Sequence, residues 1–265
     1  MSLVQIVVLA LIQGLTEYLP VSSSAHLILG SLAFGWPDQG LALDTATHLG
    51  TLLAVLAYFR KDLLDMLISW TRPVSSSADQ EHRKMSSYLV LASVPVLLTG
   101  ALLHEWIETY LRDIRVVAWS TLVFGLLLLI ADVKGARQKE ITEFSLKNAL
   151  WVGLAQVLAL VPGTSRSGVT ITAARFMGFS ADAAARFSFL LAIPVVAAAG
   201  LYSALKIAGG ETLVQWVDFF IAVGVSAIAG WICIVAFLAL LKRVGLVPFV
   251  IYRLLLGLVL LWIVS

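Results

Sequence analysis

Long apolar stretches separated by short polar segments occur along nearly the whole sequence. Each is close to the ~20 residues that a helix needs to cross the hydrocarbon core of a bilayer. Mean hydropathy is +0.96 and 13% of the 265 residues are charged, less than soluble domains carry. Tryptophan and tyrosine, Tyr18 for example, lie mostly near the ends of apolar runs, as in membrane-interface belts. We therefore predict an all-α polytopic membrane protein with six transmembrane helices, at 42–59, 86–103, 115–131, 186–205, 217–241 and 246–264.

Charge and cysteine content limit the partners of the chain. The formal net charge is +2, so we expect no nucleic-acid partner. The one cysteine, Cys233, excludes a disulfide framework and a thiolate metal site. The first residues lack the basic segment and cleavage site of a signal peptide, and we interpret them as part of the mature protein.

Two further apolar regions do not fit this template. Residues 3–19 carry Gln13 and Glu17 and then break at Pro20. Residues 149–161 break at Pro162, and a helix of their 13 residues spans only about 20 Å. A serine-rich turn and a second short apolar piece follow each one. We therefore predict two re-entrant hairpins, over 3–35 and 149–177, which are tolerated at membrane depth where protein or a wet cavity surrounds them.

The distribution of lysine and arginine predicts the orientation of the chain. These residues are concentrated in the connections at 60–84, 134–147 and 242–243, which the positive-inside rule places in the cytoplasm. With six crossings, residues 1–41 then enter and leave from the outside, and residues 145–182 from the inside. Both termini are accordingly predicted to be periplasmic, and the two hairpins to approach each other from opposite faces.

The two halves of the chain contain similar segments. YLVLASVPVLLTGALL at 88–103 resembles FSFLLAIPVVAAAGLY at 187–202, with one proline at the same position in each. We predict a single integral membrane domain over 1–265 that consists of an inverted-topology repeat, about 1–110 and about 145–240. Inverted repeats with broken helices form polar sites near the bilayer midplane from half-helix ends.

The hexapeptide PVSSSA occurs twice in different settings. At 73–78 it lies among charged residues in a predicted cytoplasmic connection, and we interpret it as a solvated loop. At 20–25 it lies between Glu17 and His26 and between two apolar helices. Polar side chains at membrane depth are costly unless they are used, so we assign a function to this copy.

The residues of the two hairpin turns favour an anion. Pro20 ends one helix and Ser22–Ser24 begin the next, so free backbone N–H groups point into the turn. The second turn, PGTSRSGVT at 162–170, adds glycines that permit close backbone approach and Arg166, whose planar guanidinium suits phosphate oxygens. The candidate phosphate-binding residues are Ser22, Ser24, Gly163, Thr164, Ser165, Ser167, Gly168 and Thr170.

The spacing of polar residues in the first hairpin suggests catalysis. Gln13 and Glu17 are four residues apart and share a helix face, and Ser23 and His26 are three apart and share another. A serine near a histidine and a carboxylate, with Arg166 opposite, fits nucleophilic attack on phosphorus. Spacing leaves open which serine attacks, because the others are natural helix caps. Glu17 also suits a divalent cation such as Mg²⁺, held largely by the substrate.

A transporter or flippase of a lipid phosphate or other anion is the alternative function. Secondary carriers also use inverted repeats with facing broken helices, and fold alone does not distinguish the two classes. A carrier needs anion donors but has no need of a nucleophile and a proton acceptor. Ser23 with His26 and Glu17 therefore favours a phosphatase. A purely structural role would leave the polar turns unexplained.

Three motifs resemble those of the bacterial undecaprenyl-diphosphate phosphatases, the bacitracin-resistance family. They are Gln-x-x-x-Glu at 13–17, LPVSSSAHL at 19–27 and PGTSRSG at 162–168, and LGTLLAV at 49–55 is similar as well. The resemblance covers essentially the whole chain and implies six crossings plus two re-entrant hairpins. It also implies hydrolysis of undecaprenyl diphosphate to undecaprenyl phosphate and inorganic phosphate, which recycles the lipid carrier for cell-wall synthesis and gives bacitracin resistance.

The resemblance assigns roles to individual residues. The family's catalytic positions are matched by Glu17, Ser23, His26, Arg166 and Thr170. Ser23 corresponds to the usual candidate nucleophile. Gln13 departs from the family, since many members have Glu there, and Glu17 would have to act alone as base or metal ligand. Asp44 and His48, near the exit of the first hairpin, are accessory candidates.

The implied partners are lipids and a metal ion. We expect an isoprenyl diphosphate substrate, surrounding membrane lipids, and a divalent cation, Mg²⁺ or Ca²⁺, with Glu17 as its protein ligand. A homodimer is a further expectation. The expected location is the bacterial cytoplasmic (inner) membrane.

Overall fold

The computed structural model describes residues 1–36, 40–111, 113–135, 138–210 and 214–264. Over these ranges the regular structure is helical, apart from one isolated bridge between Lys139 and Phe179, which confirms the all-α prediction. The α-helices are α1 Leu3–Thr16, α2 Ser23–Phe34, α3 Gly40–Tyr58, α4 Arg60–Thr71, α5 Ser77–Tyr110, α6 Ile114–Lys134, α7 Leu146–Gln156, α8 Arg166–Phe176, α9 Ala181–Ala208, α10 Trp216–Val244 and α11 Val247–Ile263. Short 3₁₀ turns occupy Ile141–Glu143 and Val157–Leu160.

Five of the predicted crossings are helices long and apolar enough to span a bilayer. They are α3, α5 over Ser77–Leu103, α6, α9 and α10. The sixth, predicted at 246–264, is α11, whose 17 residues extend about 25 Å. With the short apolar helices α1 and α7, these elements make the chain a polytopic membrane protein.

The first predicted connection contains a helix that the apolar pattern did not indicate. Charged residues interrupt the pattern there, yet α4 forms and packs against α5. Trp70 Nε1 donates to Ser86 Oγ at 2.9 Å, and Arg83 Nε donates to Ser69 O at 2.6 Å. The Arg83 guanidinium also lies 5.5 Å from the Trp70 ring centroid. Tertiary contacts, which the sequence pattern does not reveal, therefore hold this helix.

The PVSSSA copy at 73–78 is exposed, as predicted; its first four residues lie between α4 and α5, and its last two are the first residues of α5. Ser76 is the N-cap of α5, and its Oγ accepts from the Asp79 N–H at 3.1 Å. The Asp79 carboxylate accepts in turn from the Ser76 N–H at 3.1 Å, which completes a capping box. The hydroxyl of Ser76 thus starts a helix.

Glycines lie where the helices cross closely. A Cβ atom on Gly50 of α3 would lie 2.4 Å from the carbonyl oxygen of Val223 of α10, and one on Gly153 of α7 would lie 2.2 Å from that of Ala92 of α5. A Cβ on Gly14 of α1 would lie 2.8 Å from another carbonyl oxygen of α10. Inside a bilayer, close backbone contact through small residues is a main source of helix association. The crossings at Gly14 and Gly153 therefore place the short helices α1 and α7 against the long helices α10 and α5.

Each predicted hairpin is a pair of short helices whose turn meets the turn of the other pair. The first is α1 and α2, which contact α3, α6 and α10; the second is α7 and α8, which contact α5, α6 and α9. The N–H of Gly163 donates to Ser24 Oγ at 3.2 Å, and Ser167 Oγ donates to Leu19 O at 2.7 Å. The polar turns therefore cover each other inside the helical bundle.

A buried ion pair fixes the far end of the second hairpin to α6. Arg175 is 1% exposed, and its Nη2 donates to Asp132 Oδ1 at 2.9 Å while its Nη1 donates to Phe179 O at 2.6 Å. The Phe179 ring stacks on Phe144 with centroids 3.8 Å apart, and Phe144 stacks on Phe187 at 4.0 Å. A buried charge is tolerated only while its partner is present.

We predict that Asp132→Ala lowers the free energy of unfolding by about 3–5 kcal/mol, because it leaves Arg175 buried and unpaired. Asp182→Ala is the matched control: Asp182 is 29% exposed, its partners Arg186 and Lys242 are 32% and 63% exposed, and ion pairs in contact with solvent contribute about 1 kcal/mol or less. Unfolding by SDS titration in mixed micelles would measure both. Equal losses in the two variants would contradict the assigned importance of the buried pair.

Candidate active site

Glu17, one residue beyond the end of α1, is the centre of the polar contacts between the two hairpins. Its Oε2 accepts from Gln13 Nε2 at 2.8 Å and from Ser23 Oγ at 3.0 Å. Its Oε1 accepts from Arg166 Nη2 at 2.9 Å, and the side chains of Arg166 and Glu17 are 12% and 9% exposed. Hydrogen bonds to charged groups are strong, more so where the dielectric is low. The structure thus brings together four of the predicted residues.

Two serines with left-handed backbone form the turns that present these side chains. Ser22 has φ +71° and Ser165 has φ +67°, a conformation that costs a non-glycine residue about 1–2 kcal/mol. Ser22 Oγ accepts from the Ala25 N–H at 3.4 Å, and Ser165 Oγ accepts from the Gly168 N–H at 3.1 Å. Each serine therefore caps the helix that follows it.

The residues immediately after these two serines are the first residues of α2 and α8. Ser23 begins α2 and Arg166 begins α8, so the proposed nucleophile and the anion-binding guanidinium occupy equivalent positions in the two hairpins. The N–H groups of a first helical turn have no acceptor within the helix, and the helix dipole adds positive potential there. Both N-termini therefore favour an anion beside Ser23 and Arg166.

Several hydroxyls that were predicted to bind phosphate have partners in the protein. Ser24 and Ser167 bond to the backbone of the opposite hairpin, as described above. Thr170 Oγ1 donates to Arg166 O at 2.8 Å and lies 2.7 Å from Ser188 Oγ. Thr164 is buried, and its Oγ1 has no partner in the described part of the chain. The first three side chains position the turns rather than offer their hydroxyls freely.

Gly163 and Gly168 are required because other groups approach them closely. Gly163 has φ +91°, and a Cβ there would lie 2.3 Å from Val117 O of α6. A Cβ on Gly168 would lie 2.5 Å from Arg253 Nη1. The sequence predicted close approach at these glycines, but the neighbours that the structure shows are a helix and a second arginine.

His26 lies three residues after Ser23 on α2, as its spacing suggested, but the hydrogen bonds of its ring go to other residues. Its Nδ1 lies 2.7 Å from Ser22 O, its Nε2 lies 2.6 Å from Tyr252 Oη, and its ring stacks on Tyr252 with centroids 5.5 Å apart. The hydroxyl of Ser23 donates to Glu17. The carboxylate, and not the imidazole, therefore accepts the hydrogen bond of the Ser23 hydroxyl. Sequence spacing could not show this, because Tyr252 is 226 residues away.

The accessory candidates lie on α3. His48 Nδ1 lies 2.8 Å from Asp44 O, one helical turn earlier on α3. Both side chains are half-buried. Their accessory role stays a prediction.

Arg253 of α11 is a site residue that the sequence analysis did not single out. It is fully buried, its Nε donates to Thr121 O at 2.9 Å, and its Nη2 donates to Gly163 O at 2.8 Å and also to Thr164 O. Its Nη1 is buried and has no hydrogen-bond partner among the described residues. The signal that could have identified it is a lone charge within an apolar stretch.

Tyr18 and Ser188 hold the Arg166 guanidinium. The Arg166 Cζ atom lies 5.6 Å from the Tyr18 ring centroid, and Arg166 Nη1 donates to Ser188 O at 3.3 Å. The hydroxyl of Tyr18 donates to Thr51 O of α3 at 2.6 Å. The prediction of Tyr18 as an interfacial aromatic is wrong, because the structure buries it completely.

The side chains of the site do not fit a divalent cation held by the protein. The described residues contain no group of three or more His, Cys, Asp or Glu side chains that could hold a metal ion. Both oxygens of Glu17 already accept hydrogen bonds, one of them from the positively charged Arg166. A metal cation bound at this carboxylate would be repelled by the neighbouring guanidinium of Arg166.

Comparisons with known proteins agree along nearly the whole chain. Undecaprenyl-diphosphatase of Teredinibacter turnerae is 50% identical over 260 residues, which cover 98% of each chain. Undecaprenyl-diphosphatase 1 of Pseudoalteromonas translucida is 49% identical over 257 residues, or 97% of each chain. Undecaprenyl-diphosphatase of Hahella chejuensis is 50% identical over 257 residues, 97% of this chain and 96% of that one. The family model described as Bacitracin resistance protein BacA matches residues 6–259. The chain therefore belongs to the BacA bacitracin resistance family.

Proposed function

We propose that this protein hydrolyses undecaprenyl diphosphate to undecaprenyl phosphate and inorganic phosphate. The relatives at about half identity are named undecaprenyl-diphosphatase. The observation that carries the proposal is the bonded set of Ser23, Glu17 and Arg166. It supplies a nucleophile, a proton acceptor and an anion donor within one contact network. The product is the lipid carrier used for wall polymers, in agreement with the bacitracin-resistance name of the family.

The charges of the second turn support an anionic ligand. Arg166 pairs with Glu17, whereas the hydrogen bonds of Arg253 within the described chain go to backbone carbonyls and leave Nη1 without a partner. A buried cation without a counter-ion is costly. A diphosphate between the N-termini of α2 and α8 would supply the missing negative charge.

Substrate binding would change the partner of Arg166. Its planar set of donors fits two oxygens of one phosphate group, and the dianionic phosphate competes with Glu17 for them. The carboxylate then loses its ion pair while it keeps the hydrogen bond from Ser23. Losing a neighbouring positive charge makes Glu17 a better proton acceptor. Arrival of the substrate thus activates the base.

The proposed chemistry proceeds in two steps. Ser23 Oγ attacks the terminal phosphorus, its proton passes to Glu17, and the bond from phosphorus to the bridging oxygen breaks. Glu17 gives the proton to the departing undecaprenyl phosphate. Water then attacks the phosphoserine, Glu17 transfers a proton from that water to Ser23 Oγ, and inorganic phosphate leaves. Arg166 and the helix N–H groups stabilise the negative charge of both transition states.

The carrier hypothesis is less well supported by these contacts. A transporter or flippase of lipid phosphate would use Arg166 and the two helix N-termini, but it gives no role to the hydrogen bond from Ser23 to Glu17. That bond therefore favours hydrolysis.

We also propose the inverted-repeat architecture for this chain: one membrane domain with six crossings and two re-entrant hairpins. Gln13 precedes Ser22 by the same nine residues by which Gln156 precedes Ser165, and both glutamines are fully buried. The reciprocal contacts of the two turns support a two-fold relation between repeat one, about 1–110, and repeat two. The second repeat covers about 145–240.

Further support for this architecture comes from the long helices and from charge. α5 and α9 each contain an internal proline, Pro95 and Pro194, at the position that the sequence comparison aligned. An even number of crossings places both termini on one side, and the lysine and arginine distribution favours the periplasm. We propose the bacterial cytoplasmic membrane as the location. A homodimer stays a prediction.

We propose that a divalent cation, Mg²⁺ or Ca²⁺, accompanies the substrate as a counter-ion of the diphosphate. Phosphate oxygens and water are the ligands that Mg²⁺ prefers, and the protein site offers one carboxylate that is already engaged. No step of the proposed chemistry depends on a protein-held metal.

We predict that Arg166→Ala lowers kcat/KM by roughly 10²–10³-fold, because the transition state loses a preorganised cationic donor. Arg166→Lys should fall between Ala and wild type, since it keeps the charge but loses the planar fork. Phosphate release from undecaprenyl diphosphate by purified protein in detergent measures this. Arg186→Ala, which removes a half-exposed arginine of α9, is the control and should be near normal. Near-normal turnover by Arg166→Ala would refute its role.

Ser23→Ala should abolish phosphate release, and acid-quenched wild type should carry phosphate on the peptide that contains Ser23. The matched control is Ser76→Ala, the equivalent serine of the other PVSSSA copy. It removes a helix cap that contributes about 1 kcal/mol and should leave turnover intact. A folded wild type that binds the lipid diphosphate without releasing phosphate would favour the carrier hypothesis instead.

Metal titration tests the counter-ion proposal. Isothermal titration of Mg²⁺ into the purified protein should show no tight binding site without lipid diphosphate, because Glu17 already bonds to Arg166. Binding should appear when undecaprenyl diphosphate is added. Tight, stoichiometric binding by the lipid-free protein that Glu17→Gln removes would show a resident metal site.

A further inference from the structure

An apolar groove of about 510 Å³ lies between α3, α9 and α10. Its walls are formed mainly by aliphatic side chains, with Trp216 and Phe219 at one end. Thr45 is the one hydroxyl residue among the described lining residues, and its Oγ1 donates to Leu41 O at 2.7 Å. The groove therefore offers hydrocarbon contacts and almost no hydrogen-bonding groups, which suits an aliphatic ligand.

The groove begins beside the candidate active site because the two share helices. On α3, Leu52 lines the groove, and its neighbour Thr51 accepts the hydrogen bond of Tyr18. On α9, Ser188 accepts from the Arg166 guanidinium, and Val196 begins the groove about 12 Å further along the helix. The lining continues for about another 18 Å along α9. One end of the groove is thus close to the polar site.

The groove is open space between helices and not a tight crossing. Gly200 of α9 lines it, and no atom lies within 4 Å of the position that a Cβ on this residue would take. By contrast, a Cβ on Gly50, at the crossing of α3 and α10, would lie 2.4 Å from a backbone oxygen. The groove therefore has space for a hydrocarbon chain, and its apolar lining suits such a chain.

We propose that this groove holds the proximal isoprene units of the lipid substrate while its diphosphate lies at Arg166 and Ser23. The proposal rests on the proposed function, since the diphosphate at the site carries a hydrocarbon chain that must leave it. The chain is covalently attached to the bound head group, so a groove that begins close to the site receives it at high effective concentration. Acyl chains of the surrounding lipid have no such attachment.

Filling the groove should therefore reduce activity on long substrates selectively. The test variant is Ala204→Trp, whose side chain enters the groove from α9, and the matched control is Ala199→Trp, on an exposed part of α9 outside the groove. The substrates are undecaprenyl diphosphate and dimethylallyl diphosphate, which has a single isoprene unit and does not extend to Ala204. The measured quantity is the ratio of their kcat/KM values in detergent micelles.

We expect Ala204→Trp to lower this ratio roughly 10-fold or more, mainly through KM for the undecaprenyl substrate, and Ala199→Trp to leave it unchanged. Gly200→Leu, a second filling variant at a position with open space, should act in the same direction. It keeps the test valid if the tryptophan variant does not fold.

Two results would overturn the proposal. An unchanged ratio in both filling variants would show that the substrate chain does not lie in the groove, and equal losses for the two substrates would show general damage to the site. Failure of the proposed function is distinguishable, because folded wild-type protein would then release phosphate from neither substrate, and the groove proposal would fall with it.

Discussion

The ion pair between Glu17 and Arg166 is the interaction on which the rest of the site depends. Each partner comes from a different hairpin turn. In the proposed re-entrant architecture both turns lie at membrane depth, where lipid cannot satisfy their backbone groups, and they are stable there only if they cover each other. The pair supplies that contact with a strong attraction in a region of low dielectric, and the bonds of Ser24 and Ser167 to the opposite backbone complete it.

The ion pair between Glu17 and Arg166 stabilises the contact of the two turns and also takes part in the proposed mechanism. Before substrate binds, Arg166 neutralises Glu17, and the hydrogen bond from Ser23 is already formed. In the proposed mechanism, a diphosphate that takes over the guanidinium leaves the serine and its acceptor in place, so little reorganisation remains for the chemical step. Arg253 adds positive charge behind the second turn, and its guanidinium donates to the carbonyls of residues 163 and 164. The proposed phosphate ligand would satisfy these cationic donors.

Identical sequence has different consequences in the two PVSSSA copies because their surroundings differ. Ser76 is exposed and caps a helix, whereas the equivalent Ser23 is half-buried and donates to a carboxylate. Its neighbour Ser22 adopts a left-handed backbone that the exposed copy does not need. The flanking Glu17 and the apolar helices on either side already indicated this difference in the sequence. A solvent-exposed hydroxyl can form hydrogen bonds with water, whereas a hydroxyl inside the helical bundle depends on the hydrogen-bond partner that the fold provides.

By itself the sequence determined the class of protein, and it indicated most of the side chains that meet at the candidate site. Apolar length predicted the long helices, and the short interrupted stretches predicted both hairpins, because hydrophobicity and proline act locally. Contacts between distant residues were decided by the tertiary structure. Spacing placed His26 beside Ser23, but Tyr252 and the Ser22 carbonyl hold its ring, and Ser23 bonds to Glu17 instead. Arg253 and the buried position of Tyr18 likewise follow from packing between helices, which no local pattern of residues records.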